Sequence, residues 1–135
     1  ESFYDSMDGM ERAREKQEME QLIRRNIEYD VLFLRNPSCD REIDEIVSLM
    51  TEVATSRRST IHLDKQDIPQ PMVKERLLSL QCEHIEYVLE RMQSSTAKIH
   101  NIRAYLLTAL YHAPETIHHY YAAQMREQND GADMD

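Results

Sequence analysis

Ser38 to Ser56 reads SCDREIDEIVSLMTEVATS, and this stretch decides the fold class. Ile43, Ile46, Val47, Met50 and Val53 recur at spacings of three and four, the period of one helix face. Ser38 or Asp40 can cap that helix, and Asp40, Glu42, Asp44 and Glu45 fall near its positive end. The pattern predicts an amphipathic helix that ends near Thr55-Ser56 and turns one side to a core.

The same period extends in both directions. Upstream, Met19, Leu22, Ile23 and Ile27 predict a first helix from about Met10, after a disordered lead-in over residues 1–8. Its opening turns, MERAREKQEMEQ, are charged on nearly all sides, so this part frays or spans solvent. Tyr29–Arg35 is a short apolar run that closes at Asn36-Pro37. It reads either as an extended core segment or as the tail of the first helix. Downstream, Arg57–Leu63 is β-branched and weakly alternating, so at most one short strand is expected, near Thr60–Leu63, with no obvious partner.

Asp67-Ile-Pro69-Gln-Pro71 opens a third helix, carrying Val73, Leu77, Leu78 and Leu80. A fourth starts near Gln81–Glu83, with Ile85, Val88, Leu89 and Met92, and stops at Ser94-Ser-Thr96. A fifth runs from about Ala97 to His112, with Ile99, Ile102, Tyr105, Leu106, Ala109 and Leu110 on one face. Pro114 is expected to end it near Ala113 and to open a sixth, with Ile117, Tyr120, Tyr121 and Met125. There is no internal repeat. The expected fold is all-α, a compact bundle of about six helices. Its expected divisions are a charged lead-in and helix start at 1–21, a helical domain at 22–126 and an acidic disordered tail at 127–135.

Glycine is the most informative count: Gly9 and Gly131 stand near the ends, with 121 residues between them and no glycine among those. That excludes glycine-rich phosphate loops and dinucleotide fingerprints, where backbone must approach phosphate without a Cβ in the way. It also excludes a glycine-turned, hairpin-rich β fold. The formal net charge of −9 is unevenly placed. Residues 1–21 hold seven acids against three bases, and residues 127–135 hold four acids and no base. The 105 residues between them are nearly neutral, with 14 acids and 13 bases, so the acidity does not bar the folded body from nucleic acid.

The two cysteines, Cys39 and Cys82, have no metal or redox spacing, which fits a reducing compartment. No apolar run approaches the roughly 18 residues of a membrane span, and the charged start is unlike a signal peptide. The expected location is cytoplasmic. Because the chain begins at Glu1 rather than Met, it is expected to be a piece of a larger protein.

His112, His118 and His119 lie close in sequence, but adjacent helical residues point about 100° apart, so no shared metal site is expected. Glu83, Glu86 and Glu90 with Arg91 read as a solvated helix face. No catalytic residue, cofactor or small-molecule substrate is expected, and the chain is not expected to be an enzyme. Two surfaces remain. Tyr105, Tyr111, Tyr120 and Tyr121 are core-edge residues or, alternatively, a surface for a protein partner or a single strand. Arg57, Arg58, Lys98 and Arg103 form a DNA-binding patch only if the fold brings their two segments together.

HIEYVLERM (84–92), KIHNIRAYLLTALYHAP (98–114) and TIHHYYA (116–122) resemble the C-terminal domain of replication initiator protein A of Firmicutes plasmids and conjugative elements. NIEYD (26–30), DEIV (44–47) and VKERL (73–77) are similar to the same family, so the resemblance covers roughly 22–123. IRAYLLTALY also resembles a late helix of DnaD-like primosomal domains, although the tryptophan common at the end of that helix is absent. The resemblance implies initiation of DNA replication on a mobile element. In that setting the domain would contact replication proteins or a second copy of itself, or touch DNA nonspecifically.

Overall fold

The computed structural model describes residues 3–95 and 99–133, with side chains at 7–95 and 99–127. Six α-helices account for most of it: α1 Phe3–Asn26, α2 Tyr29–Arg35, α3 Asp40–Ala54, α4 Gln70–Leu78, α5 Cys82–Ser94 and α6 Ile102–Asp133. A two-stranded antiparallel ribbon, β1 Thr60–Leu63 and β2 Gln66–Pro69, separates α3 from α4. The expected all-α bundle is present.

α3 is the centre. Its buried stripe, Ile43, Ile46, Val47, Met50 and Val53, meets α1 along one side and α4 along another, with α2 and α6 beside them. The cap expected from Ser38 or Asp40 is not made. A 3₁₀ turn, Pro37–Cys39, leads into the helix, and Cys39 stands at the N-cap without capping it through its side chain, whose sulfur accepts from Gln93 of α5 instead. At the other end, Gln70 Nε2 donates to the Val53 and Ala54 carbonyls, both at 3.1 Å, and so satisfies acceptors that a helix end leaves open. Asn26 Nδ2 does the same for Leu78 O of α4, at 3.1 Å.

The first helix begins at Phe3 rather than Met10. Met7 to Glu18 are all exposed, so it extends through solvent before Ile23 and Ile27 bury against α3. Tyr29–Arg35 is a separate helix, because Glu28 takes left-handed backbone angles (φ 54°, ψ 59°) and breaks the run. β1 lies where the β-branched residues predict it, and its partner is Gln66–Pro69, so Asp67–Pro69, expected to open the third helix, are strand instead. The link is a two-residue turn with Asp64 (φ 51°) and Lys65 (φ 62°) both left-handed, a geometry that normally recruits Asn-Gly. Lys65→Gly should therefore raise the unfolding free energy by about 0.5–1 kcal/mol, part of the relieved strain being offset by a freer unfolded chain. Urea unfolding with an unchanged slope checks this, and an unmoved midpoint would contradict it.

Pro114 does not end a helix. The expected fifth and sixth helices are one, Ile102–Asp133, which also continues into the expected tail. An internal proline costs a helix about 3 kcal/mol. Packing on both sides of it outweighs that cost, since Leu110, Ala113 and Ile117 are all buried. Nearby backbone acceptors find donors as well. Arg76 Nη1 donates to Tyr111 O at 3.2 Å, and Thr116 Oγ1 donates to His112 O at 3.1 Å.

Candidate interaction surface

Ile85, Val88 and Leu89 of α5 and Leu106, Leu110, Ala113 and Ile117 of α6 form the buried seam between the last two helices. Glu86 anchors α5 to the other side of the bundle. It pairs with Arg35 at 3.1 Å and accepts a hydrogen bond from Asn36 at 3.2 Å. Burial, and then the Glu86 carboxylate, push the neighbouring Cys82 thiol up from its ordinary range.

Above that seam the tyrosines collect. Tyr120 packs edge-on to Tyr87 of α5, with ring centroids 5.3 Å apart, and to Tyr121 at 5.7 Å. Its hydroxyl donates to Glu90 at 2.6 Å, and this bond holds the phenol proton and raises its pKa. Tyr105 is half-buried in a groove that Tyr87 also lines. Beyond Tyr120, α6 leaves the body: Tyr121 is 45 % exposed and Met125 65 %.

Tyr105, Tyr120 and Tyr121 thus share the α5–α6 side, while Tyr111 does not. It is 8 % exposed and faces α4, where the Arg76 guanidinium stacks 4.4 Å from its ring centroid. Tyr87 belongs to the cluster and was missed. It sits one residue before Val88 in the α5 apolar run, a place that reads as helix edge until α6 is laid beside it.

Two of the basic candidates pair with acids of other elements. Arg57 pairs with Glu15 of α1 at 3.5 Å, and Arg103 pairs with Glu52 of α3 at 2.8 Å. Arg58 is exposed in the loop after α3. Lys98 lies outside the described residues. A phosphate surface depends on cations whose counter-ions are mobile, and two of these four are held by acids of the same chain. Among the described residues, no group of three histidine, cysteine or acidic side chains is placed to hold a metal ion, and no helix is long and apolar enough to cross a membrane.

Residues 6–132 match the profile of a family described as "Family of unknown function (DUF6017)". The chain belongs to that family. No curated protein and no solved structure matches it. The DUF6017 match takes in the solvent-exposed start of α1 and the α6 extension, so the family unit is larger than the packed body alone.

A histidine at the start of α5 makes this region sensitive to acid. The Gln81 side chain accepts from the His84 N–H, while Gln81 N–H donates to His84 Nδ1 at 2.9 Å, a reciprocal cap. A backbone N–H can only donate, so Nδ1 must be unprotonated. Burial lowers the His84 pKa from its ordinary 6.5; Glu83 opposes the shift and His118 adds to it. The folded state therefore prefers the neutral ring. Stability from His84 is complete above pH 6.5 and is lost as the pH falls through the lower folded-state value. Thermal unfolding scanned downward from neutral pH should show this loss in the native chain, and His84→Gln should remove that component. An identical acid dependence in both would refute it.

Proposed function

We propose that the chain is a helical protein-interaction module of a DNA replication initiator from a plasmid or mobile element. It acts by recruiting replication proteins or by self-association, in the cytoplasm and without chemistry of its own. The replication setting rests on the resemblance of residues 22–123 to the replication initiator protein A family. The mode of action rests on one observation: Tyr87, Tyr120 and Tyr121 cluster where α6 leaves the body, with Tyr121 and Met125 exposed beside them. Tyrosine and methionine are enriched at protein interfaces, where an aromatic ring gains contact area at little entropic cost.

Direct DNA contact through Arg57, Arg58, Lys98 and Arg103 is the second reading. The ion pairs of Arg57 and Arg103 weigh against it, since each would have to be broken to free a cation. Sedimentation velocity of the chain, together with pull-down by purified helicase-loading proteins, tests the first reading. Tyr121→Ala or Met125→Ala should weaken the association roughly ten-fold and leave the unfolding midpoint in place. An association indifferent to both, or none at all, sinks this reading; salt-sensitive retention of duplex DNA would favour the second.

A further inference from the structure

We propose that the outer edge of β1 pairs with the β1 edge of a second copy of the chain, joining two ribbons into a four-stranded antiparallel sheet about a two-fold axis. This contact is made by elements other than the tyrosine surface, so it goes beyond the function proposed above.

The register of the ribbon fixes which backbone groups it leaves over. Thr60 stands opposite Pro69, Ile61 opposite Ile68, His62 opposite Asp67 and Leu63 opposite Gln66. Gln70 N–H donates to Ser59 O at 3.0 Å, so 59 and 70 are a hydrogen-bonded pair. Such pairs alternate with non-hydrogen-bonded ones along an antiparallel ladder. The ribbon's own bonds therefore join Ile61 to Ile68 and Leu63 to Gln66. Thr60 and His62 turn their N–H and C=O groups the other way, to the outer edge of β1, as Asp67 and Pro69 do on β2. Both β1 residues are exposed, and among the described residues their backbone groups have no partner outside the ribbon. The two edges differ in what they accept. A strand laid on β2 meets Pro69, which has no N–H to donate, beside the Asp67 carboxylate, and proline or charge at an edge blocks pairing. The β1 edge keeps all four groups, two donors and two acceptors.

These four groups complement themselves. About a two-fold axis at Ile61, Thr60 of one copy meets His62 of the other and exchanges two bonds with it, and the symmetric pair repeats this. The same register sets Ile61 against Ile61 at the axis, in the closely spaced, non-hydrogen-bonded position. Ile68 already stands opposite Ile61 in each ribbon, so four isoleucines form one row across the four strands. Adjacent β-branched side chains of this kind stabilise a sheet. On the other face His62 lies between its own Asp67, 2.9 Å away, and Thr60 of the second copy, so no like charges are opposed. A foreign strand would meet the four bonds, whereas a second copy also completes the isoleucine row. A two-stranded ribbon is marginal alone, and further strands with an apolar face strengthen it. The contact is small and therefore of the weak, transient class. It belongs to the concentrations of NMR rather than to those of dilute sedimentation.

Amide exchange of the labelled chain, followed by NMR against protein concentration, tests this pairing. The Ile61 and Ile68 amides are bonded within the ribbon and should be protected throughout. The Thr60 and His62 amides should gain protection as concentration rises, by roughly ten-fold where the dimer dominates. In a mixture of labelled and unlabelled copies, an intermolecular contact should appear between the Ile61 Hα atoms, which only a second copy supplies. His62→Pro removes an N–H that the ribbon does not use, and it should abolish both signals. His62→Ala keeps that N–H and should retain them. Tyr121→Ala should retain them as well, which separates failure of the edge from failure of the tyrosine surface. Both signals are read on the native chain, so the question is settled even if His62→Pro fails to fold. Free exchange of Thr60 and His62 at every concentration would overturn the proposal. So would signals that survive His62→Pro or vanish in His62→Ala or Tyr121→Ala. Protection that appears only when a helicase-loading protein is added would overturn it too, and would assign the β1 edge to a foreign strand.

Discussion

Leu110→Ala should lower the unfolding free energy by about 3–4 kcal/mol, the middle of the range for replacing a buried leucine by alanine. Leu110 is 0 % exposed, in the half of α6 that seats on α5, and the fully buried Ile85 and Val88 belong to the same core. Such a site collapses poorly, so the cavity remains and adds to the lost transfer energy. Against a total stability of about 5–15 kcal/mol, this is a large share. Urea unfolding reads it as a lower midpoint with an unchanged slope. A loss below about 1 kcal/mol, the size of one or two methylenes, would mean that α6 is not packed as a single helix on this seam. The functional consequence is specific. Tyr87 and Tyr120 meet where α5 and α6 pack together, so partner binding should weaken along with stability. Tyr121→Ala, by contrast, should affect binding alone.

The helices that carry the body were legible because their apolar stripes are local. The α3 stripe is the clearest, and the stripes of α5 and of the first half of α6 follow the same rule. What failed to show in sequence has a common cause, the intervention of residues distant in the chain. Gln66–Pro69 has little β-propensity of its own. It becomes a strand because β1 supplies the ladder and because Asp64 and Lys65 accept left-handed angles without glycine. Pro114 reads as a helix end, yet Arg76, from another helix, helps hold the turn around it. The candidate surfaces divide in the same way. Tyr105, Tyr120 and Tyr121 could be named from spacing, whereas Tyr87 enters only when α5 is laid against α6. Arg57 and Arg103 were visible as cations. Their acids, Glu15 and Glu52, stand far away in sequence, so the pairing that weakens their claim on phosphate was not visible.

Arg76→Ala should cost about 2–3 kcal/mol, more than a half-exposed arginine normally would. The guanidinium makes three contacts at once: a hydrogen bond to Tyr111 O at 3.2 Å, an ion pair with Glu115 at 3.1 Å and a stack 4.4 Å from the Tyr111 ring centroid. The ion pair contributes least, since Glu115 is well exposed and such pairs are worth about 0–1 kcal/mol. The charged hydrogen bond to backbone and the cation–π contact carry most of the effect, at roughly 1.5–3 and 0.5–2 kcal/mol before their overlap is discounted. Arg76→Lys separates the terms. Lysine keeps the charge, but its compact ammonium cannot reproduce the planar fork and stack together, so it should recover less than half of the loss. The position of these contacts decides what else changes. Tyr111 and Glu115 bracket Pro114, so removing Arg76 loosens the segment that joins the seated half of α6 to the half bearing Tyr120 and Tyr121. Amide exchange should accelerate from Glu115 onward while the α3 amides remain protected. Exchange that accelerates equally in α3 would show Arg76 to be a general stabiliser of the bundle. Exchange confined to the distal part of α6 would identify it as the residue that fixes where α6 presents its tyrosines.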